Sequence, residues 1–588
     1  MLMRVYKMFL AAATAASLIS CGSSDCETEC FVEADDPVAL SQEEESAWNT
    51  VGRNLHAAWV SPDFRYGRSR VPETEGIDTL RLSVWKGERA SAQLLLWSSE
   101  AKDGVGCSVG VFRSGDSELP SSAAQARFVR YTLADRKMEK FTRGGQPVLS
   151  PDMLDSLKVF DMDARTTRPV WITVNVPQDA DAGIYTSEIE LTHNGGGKVT
   201  LPMELEVVDR VLATPDKWDY HLDLWQHPSS VARIQGLEMW SDAHFEALKP
   251  VMKRLADAGQ KVITATLNKD PWNHQCYDAY EPMILWTRHE DGSWSYDYSV
   301  FDRWVRLMLD LGIDRFINCY SMVPWNCEIE YHDEAEGKTV TVKAEPGTDV
   351  FTEIWRPFLL DFKSHLKAEG WLGITNIAMD ERSPEAMSAA ADLLMECAPE
   401  MGFALADNHR SYKKFTIMRD VCVAIHHDIV SSEDIRSRRE KGFVTSFYVC
   451  CDPMYPNTFT SSQPYEAAML GWYSVAHDYD GMLRWAYNSW PEDPQYDSRY
   501  QSWMSGDTFL VYPYDRSSIR FERLIDGIEV AEKVRQLRKE GVDLSPLESV
   551  LEKMRSMDAH DPSLPWQEVV AEAESALAQV SRRQTISF

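Results

Sequence analysis

The chain of 588 residues carries 91 acidic against 60 basic side chains, a formal net charge of −31. A field of that sign repels nucleic-acid phosphates, anionic membrane surfaces and heavily sulfated polymers. Twenty tryptophans and 22 tyrosines favour a neutral ligand, since aromatic faces hold apolar ring surfaces, although many aromatics in any chain are core.

Residues 1–20 read as an export signal. Arg4 and Lys7 supply the positive start, and Met8 to Ile19 is apolar and alanine-rich but too short and weakly flanked for a membrane span. Leu18-Ile19-Ser20-Cys21 resembles a bacterial lipobox, which makes Cys21 the expected lipidated residue. The alternative is a plain signal peptide with an incidental cysteine. The lipobox reading anchors the protein in a bacterial cell envelope, facing the periplasm or the outside, with the lipid as its membrane contact. Residues 21–45 are polar and acidic, the composition of a flexible tether.

From 46 to 212 the pattern has period two with turn punctuation. Thr79–Val84 and Ala92–Leu96 read as strands, and Ser187–Thr192, the turn 194–197 and Val199–Val207 read as a hairpin. An antiparallel β-sandwich is expected. From 213 to 525 strands alternate with helices. The predicted strands are His221–Trp225, Lys261–Leu267, Arg315–Tyr320, Ile374–Met379, Phe403–Ala406, Val421–Ile425, Val444–Val449 and Met482–Tyr487. Eight strands over about 300 residues fit a (β/α)8 barrel. The helix after the fifth strand is poorly defined, and 326–348 reads as an inserted hairpin after the third. Residues 526–588 read as C-terminal helices. Eleven cysteines lack metal-ligand spacing and read as mostly buried thiols, with Cys276 and Cys327 left open as a loop disulfide.

A barrel carries its chemistry at the C-terminal ends of its strands. Those ends present Trp225 and His227, Asn268, Tyr320 and Trp325, Asp380 and Glu381, Asn408 and His409, His426 and His427, Tyr448, and Trp485, Tyr487, Asn488 and Trp490. The set is almost free of aliphatics and suits a pocket that stacks a sugar ring and binds its hydroxyls. The pair Asp380-Glu381 stands out. A buried ionised carboxylate is costly, and a like-charged neighbour raises one pKa. One acid is then held protonated beside one that stays ionised, as glycosidic cleavage requires. A helix N-cap before 384–398 is the bland alternative. His426-His427-Asp428 invites a metal, yet adjacent strand residues face opposite sides, and no metal or cofactor is expected. No GxSxG elbow or phosphate-cradling loop occurs.

Ala378-Met379-Asp380-Glu381-Arg382, the block Leu483–Trp490, Asp497-Ser498-Arg499 and Gly506-Asp507-Thr508 together resemble glycoside hydrolase family 123, the exo-acting β-N-acetylgalactosaminidases. The resemblance implies a β-sandwich before a (β/α)8 barrel, and a retaining, substrate-assisted attack on terminal β-linked GalNAc. Spacing points to the same mechanism. A retaining enzyme with its own nucleophile needs two carboxyls about 5–5.5 Å apart flanking the scissile bond, which sequence neighbours can hardly do. They can sit side by side if the 2-acetamido oxygen is the nucleophile, with Asp380 orienting the acetamide and Glu381, its pKa raised, as acid and base. A β-N-acetylglucosaminidase of similar mechanism and a non-catalytic glycan-binding surface lipoprotein remain the alternatives. The expected partner is a glycan ending in a β-linked N-acetylhexosamine.

Overall fold

The computed structural model describes residues 32–136, 146–407, 409–426, 429–501 and 503–583. The export signal and Cys21 lie outside this set. The acidic stretch called a tether is, from Glu33 onward, part of the fold. The buried Glu33 carboxylate accepts from Arg168 at 2.6 Å, Tyr131 N–H at 2.8 Å and Arg68 at 3.2 Å. Burial raises its pKa, but the guanidiniums and the amide more than reverse this and hold it low. Ser41 and Glu44 then form a capping box that opens the helix Gln42–Ala47.

Two sheets form the N-terminal sandwich. One runs His56–Val60, Arg89–Ser98, Thr166–Asn175, Ala124–Asp135, Pro147–Asp155. The other runs Leu80–Lys86, Lys198–Val211, Gly183–Thr192, Lys102–Val109, Val159–Met162. The hairpin forms as predicted, with Thr192 opposite Lys198, because Tyr185, Ser187, Ile189 and Leu191 alternate inward and fix the register. The domain departs from pure antiparallel order in one place: Leu80–Lys86 lies parallel to Lys198–Val211.

The barrel strands are β1 (His221–Leu224), β2 (Val262–Thr266), β3 (Phe316–Tyr320), β4 (Thr375–Asp380), β5 (Gly402–Asp407), β6 (Met418–Ala424), β7 (Val444–Tyr448) and β8 (Gly481–Arg484). They pair in parallel from β2 through β8 and back to β1. Side-chain amides help close the last seam. Gln260 accepts from Leu224 N–H at 2.9 Å, and Gln226 accepts from Thr264 N–H at 2.8 Å, so strand edges that share one ladder bridge are still satisfied. Among the described residues 409–417 between β5 and β6 there is only the short turn Ser411–Lys413, in a connection too short for a full crossover helix. The insertion Glu328–Asp333 with Lys338–Lys343 extends a small sheet begun by Leu285–Arg288 and Trp294–Asp297. Helix Ile519–Lys539 follows β8 and runs through position 525, where the sequence pattern had suggested a boundary.

Buried ion pairs lock this helix and the preceding loop to the sandwich. Asp152 accepts from Arg520 at 2.9 Å, Arg65 at 3.0 Å and Tyr512 at 2.8 Å. Glu522 pairs with Arg89 at 2.9 Å and Arg127 at 3.1 Å. The sandwich is thereby held as a rigid support for the loops at the barrel mouth.

Candidate active site

Asp380 is the last residue of β4, and in a regular strand its neighbour would face the other way. Glu381 escapes this because its backbone turns left-handed, with φ of 46°. The turn is pinned by its N–H donating to the Ala406 carbonyl at 3.0 Å. A left-handed non-glycine residue costs about 1–2 kcal/mol, and backbone strain of this kind gathers at functional sites. Both carboxylates consequently line one cavity of about 260 Å³.

The two acids are held from different sides. Two indoles donate to the same Asp380 oxygen, Oδ2: Trp272 at 3.1 Å from the loop after β2, and Trp325 at 3.3 Å from the loop after β3. Among the described residues no hydrogen bond reaches Oδ1. Glu381 accepts from the Tyr448 hydroxyl at the end of β7. Arg382 gives no charge pair to its neighbour's carboxylate. Its guanidinium donates to the Asp380 carbonyl at 3.2 Å and lies 5.0 Å over the Trp325 ring, steadying an indole that is 40 % exposed. Burial, then the adjacent Glu381 charge, push the Asp380 pKa up to about 7, against the pull of the Trp325 indole N–H, the nearby Arg382 charge and the Trp272 indole N–H. The sequence reading placed the raised acid at Glu381. The shift seen in the structure is on Asp380, because the indoles and the barrel wall enclose it.

The floor is aromatic. Trp225, Trp272 and Tyr320 lie within 4.8–4.9 Å of one another, ring centre to ring centre. Trp485 and Trp503 form an edge-to-face pair in the cavity lining, 5.3 Å apart. Trp485 donates to Asp507 at 3.2 Å, which in turn pairs with the fully buried Arg484 at 2.8 Å. Gly506, the residue before Asp507, is itself tightly enclosed. Its φ is +76°, and a Cβ there would meet Thr460 at 2.4 Å and Arg520 at 2.7 Å. Asp507 of the Gly506-Asp507-Thr508 motif therefore buttresses the Trp485 indole that lines the cavity.

Of the predicted binding residues, Trp225, Trp325, His426, Tyr448 and Trp485 line the cavity with the acid pair. Tyr320 lies beneath it, packed under Trp225 and Trp272. Four others are corrected to supporting roles. His227 is fully buried, and burial pushes its pKa down to about 4, so it is a neutral ring bonded to Ser230 and the Asp278 carbonyl. Asn488 clamps the His227 backbone through both amide atoms. Tyr487 donates to the Val251 carbonyl at 3.0 Å and Trp490 to that of Val511 at 2.6 Å, both inside the core. Asn268 is also corrected: its amide brackets Glu330, fastening the inserted sheet. They were misplaced because all five lie past the ends of β1, β2 and β8, in connections whose course the strand pattern does not set. Asn408, with His427, lies outside the described residues.

The sequence reading missed Trp272, Gln275, Trp503, Cys450, Cys451 and Asp452, all in loops beyond the strand ends. The clusters Pro271-Trp272-Asn273-His274 and Cys450-Cys451-Asp452 were visible signals of aromatic and polar loops. Cys276 and Cys327 are free thiols, which closes the disulfide question for this structure. Among the described residues no three His, Cys, Asp or Glu side chains are placed to hold a metal ion.

Comparison with known proteins follows the same lines. The family model described as "Glycoside hydrolase 123, catalytic domain" matches residues 225–537, and "Glycoside hydrolase 123 N-terminal domain" matches 59–193. A solved family 123 glycoside hydrolase from Clostridium perfringens, studied for glycolipid glycan hydrolysis, is 27 % identical. The alignment covers 90 % of this chain and 98 % of that one, with a TM-score of 0.82. A family 39 glycoside hydrolase from Bacteroides cellulosilyticus is 10 % identical over 78 % of this chain and 82 % of its own, with a TM-score of 0.34. No curated protein matches the chain. With its acid pair at the end of β4, its aromatic cavity and both domains matched, the chain belongs to glycoside hydrolase family 123.

Proposed function

We propose that the protein is a retaining exo-β-N-acetylgalactosaminidase that releases terminal β-linked GalNAc from glycans or glycolipids. Its nucleophile is the substrate's own 2-acetamido oxygen. The observation that carries this reading is the left-handed turn at Glu381, which brings two sequence neighbours into one cavity. Neighbours cannot flank a sugar as nucleophile and acid on opposite faces. The third carboxylate there, Asp452, belongs to the exposed rim beyond Tyr448. The glycolipid-glycan hydrolysis studied in the Clostridium perfringens relative supports the substrate class.

In this mechanism Asp380 Oδ1 accepts the acetamide N–H and aims the carbonyl oxygen at the anomeric carbon. The C1–O bond breaks as that oxygen attacks, giving an oxazolinium ion, while Glu381 protonates the departing oxygen. Water then attacks C1 and displaces the acetamide oxygen, restoring the 2-acetamido group as the water proton passes to Glu381, and the two inversions retain configuration. The pair works with one proton. With Asp380 near 7 in the empty site, about half of the pairs hold that proton at pH 7. An acetamide N–H on Oδ1 favours the ionised aspartate and leaves the proton for Glu381.

A thiazoline mimic of the oxazoline should inhibit competitively, because it resembles the species the site stabilises. N-fluoroacetyl substrates should slow with each added fluorine. A trapped glycosyl ester on any carboxylate of the chain would falsify the mechanism. Paired 4-nitrophenyl β-GalNAc and β-GlcNAc substrates test the sugar, and a clear GlcNAc preference would move the assignment to a glucosaminidase. We extend the proposal to location: lipid on Cys21 holds the enzyme in a bacterial envelope, and Cys21→Ala should abolish its partition into detergent. Unchanged partition would refute the anchor.

A further inference from the structure

The inference concerns the rest of the substrate, and it rests on Glu381 being the proton donor. The catalytic cavity, about 260 Å³, is a pocket for one sugar ring. Beside it lies a groove of about 1040 Å³, and Asp452 belongs to the walls of both. The groove's other walls come from three separate parts of the chain. The sandwich supplies Val148, the connection after β7 supplies Met454, Tyr455 and Tyr465, and the C-terminal segment supplies His560 and Asp561. His560 sits against the Tyr455 and Ile425 carbonyls, at 3.2 and 3.3 Å, which brings this segment to the outlet of β6.

The two acids give the pocket a direction. Asp380 is gripped by indoles from the loops after β2 and β3, so the acetamide belongs on that side. Glu381 is gripped by Tyr448 of β7, so the oxygen it protonates, and whatever that oxygen carries, leaves on the β7 side. The β7 connection is where Asp452 opens into the groove. We infer that this groove is the binding site for the leaving-group glycan, and that its ligand is an uncharged oligosaccharide.

The lining fits that class. Tyr465 stands in the first turn of the helix Pro464–Ala476, held by the Gln463–Glu466 capping box, and its hydroxyl reaches that of Tyr455 at 3.3 Å. An aromatic on a fixed helix start offers a ring face at little entropic cost. Asp452, Asp558 and Asp561 offer hydroxyl acceptors and, with Arg136 the one arginine or lysine among the described lining residues, disfavour sialylated or sulfated chains. The arrangement also gives the sandwich and the C-terminal helices a part in substrate choice.

The test compares two substrates sharing the same 2-acetamido sugar, one with 4-nitrophenol and one with a neutral trisaccharide as leaving group. For Tyr465→Ala, and for Ser563→Trp, which adds bulk at an exposed groove position, the trisaccharide-to-aryl ratio of kcat/KM should fall about tenfold. A ratio unchanged within twofold in both variants, while the aryl substrate is still cleaved, would overturn the groove assignment alone. A wild-type preference for a sialylated trisaccharide would overturn the neutral class. Failure of the wild-type enzyme to cleave the aryl hexosaminide at all would remove the catalytic reading and this inference with it.

Discussion

The sandwich–barrel seam buries carboxylates and the barrel mouth half-buries a pair, and the two regions treat them in opposite ways. At the seam each acid meets guanidiniums: Asp152 has Arg520 and Arg65, and Glu522 has Arg89 and Arg127. Burial raises the Glu522 pKa, but the two arginines more than reverse it and hold the group below the usual carboxylate range. At the mouth, neither Asp380 nor Glu381 makes an ion pair among the described residues. Neutral indole and phenol donors hold them instead, and Asp380 rises to about 7. A buried acid given a cation is locked in one charge state and serves the fold. A half-buried acid given neutral donors can still exchange its proton, as acid–base catalysis requires.

Breaking the mouth should cost activity before stability. Glu381→Gln should lower kcat/KM on an aryl β-N-acetylhexosaminide by roughly two to four orders of magnitude, with ligand binding retained by calorimetry. Equal loss of binding would mean the residue is structural. Breaking the seam should do the reverse. Asp152→Asn leaves buried guanidiniums uncompensated and should destabilise by about 3–5 kcal/mol, seen as a large fall in Tm.

The sharpest contrast comes from Asp380→Asn, which should abolish most turnover yet raise Tm at pH 8. The sign follows from linkage. Because the folded-state pKa of about 7 exceeds the ordinary 3.8, the stability this acid contributes is complete below about pH 4. It is lost as pH rises to about 7. The amide carries no charge to bury, so its advantage should appear at pH 8 and vanish at pH 4. A lower Tm at pH 8 would show that Asp380 is a structural acid like Asp152.

The same titration should appear in kinetics. For the free enzyme, kcat/KM should decline above about pH 7 as the last proton of the pair leaves. The smallest effect tunes that limb. Trp272→Phe removes an indole N–H that favours the ionised form, so the alkaline limb should move to higher pH. A shift to lower pH would contradict the role given to the indole.

Much of this molecule was fixed along the chain. Period-two patterning set the sandwich hairpin at Thr192 and Lys198, and alternating strands and helices set the barrel, because burial of one face follows local periodicity. The acid pair was legible too, since two adjacent carboxylates after an apolar run have no packing explanation. Tertiary structure alone decided which acid carries the raised pKa, because the indoles enclosing Asp380 come from 108 and 55 residues away. It also decided that Trp225 and Trp485 face the cavity while Tyr487 and Trp490 face the core, since side chains at strand ends are aimed by what packs behind them. It drew residues 33–45 onto the sandwich, where Arg168 supplies the charge that an isolated acidic segment lacks. Charge compensation and pocket direction depend on distant loops meeting, and no local pattern records that.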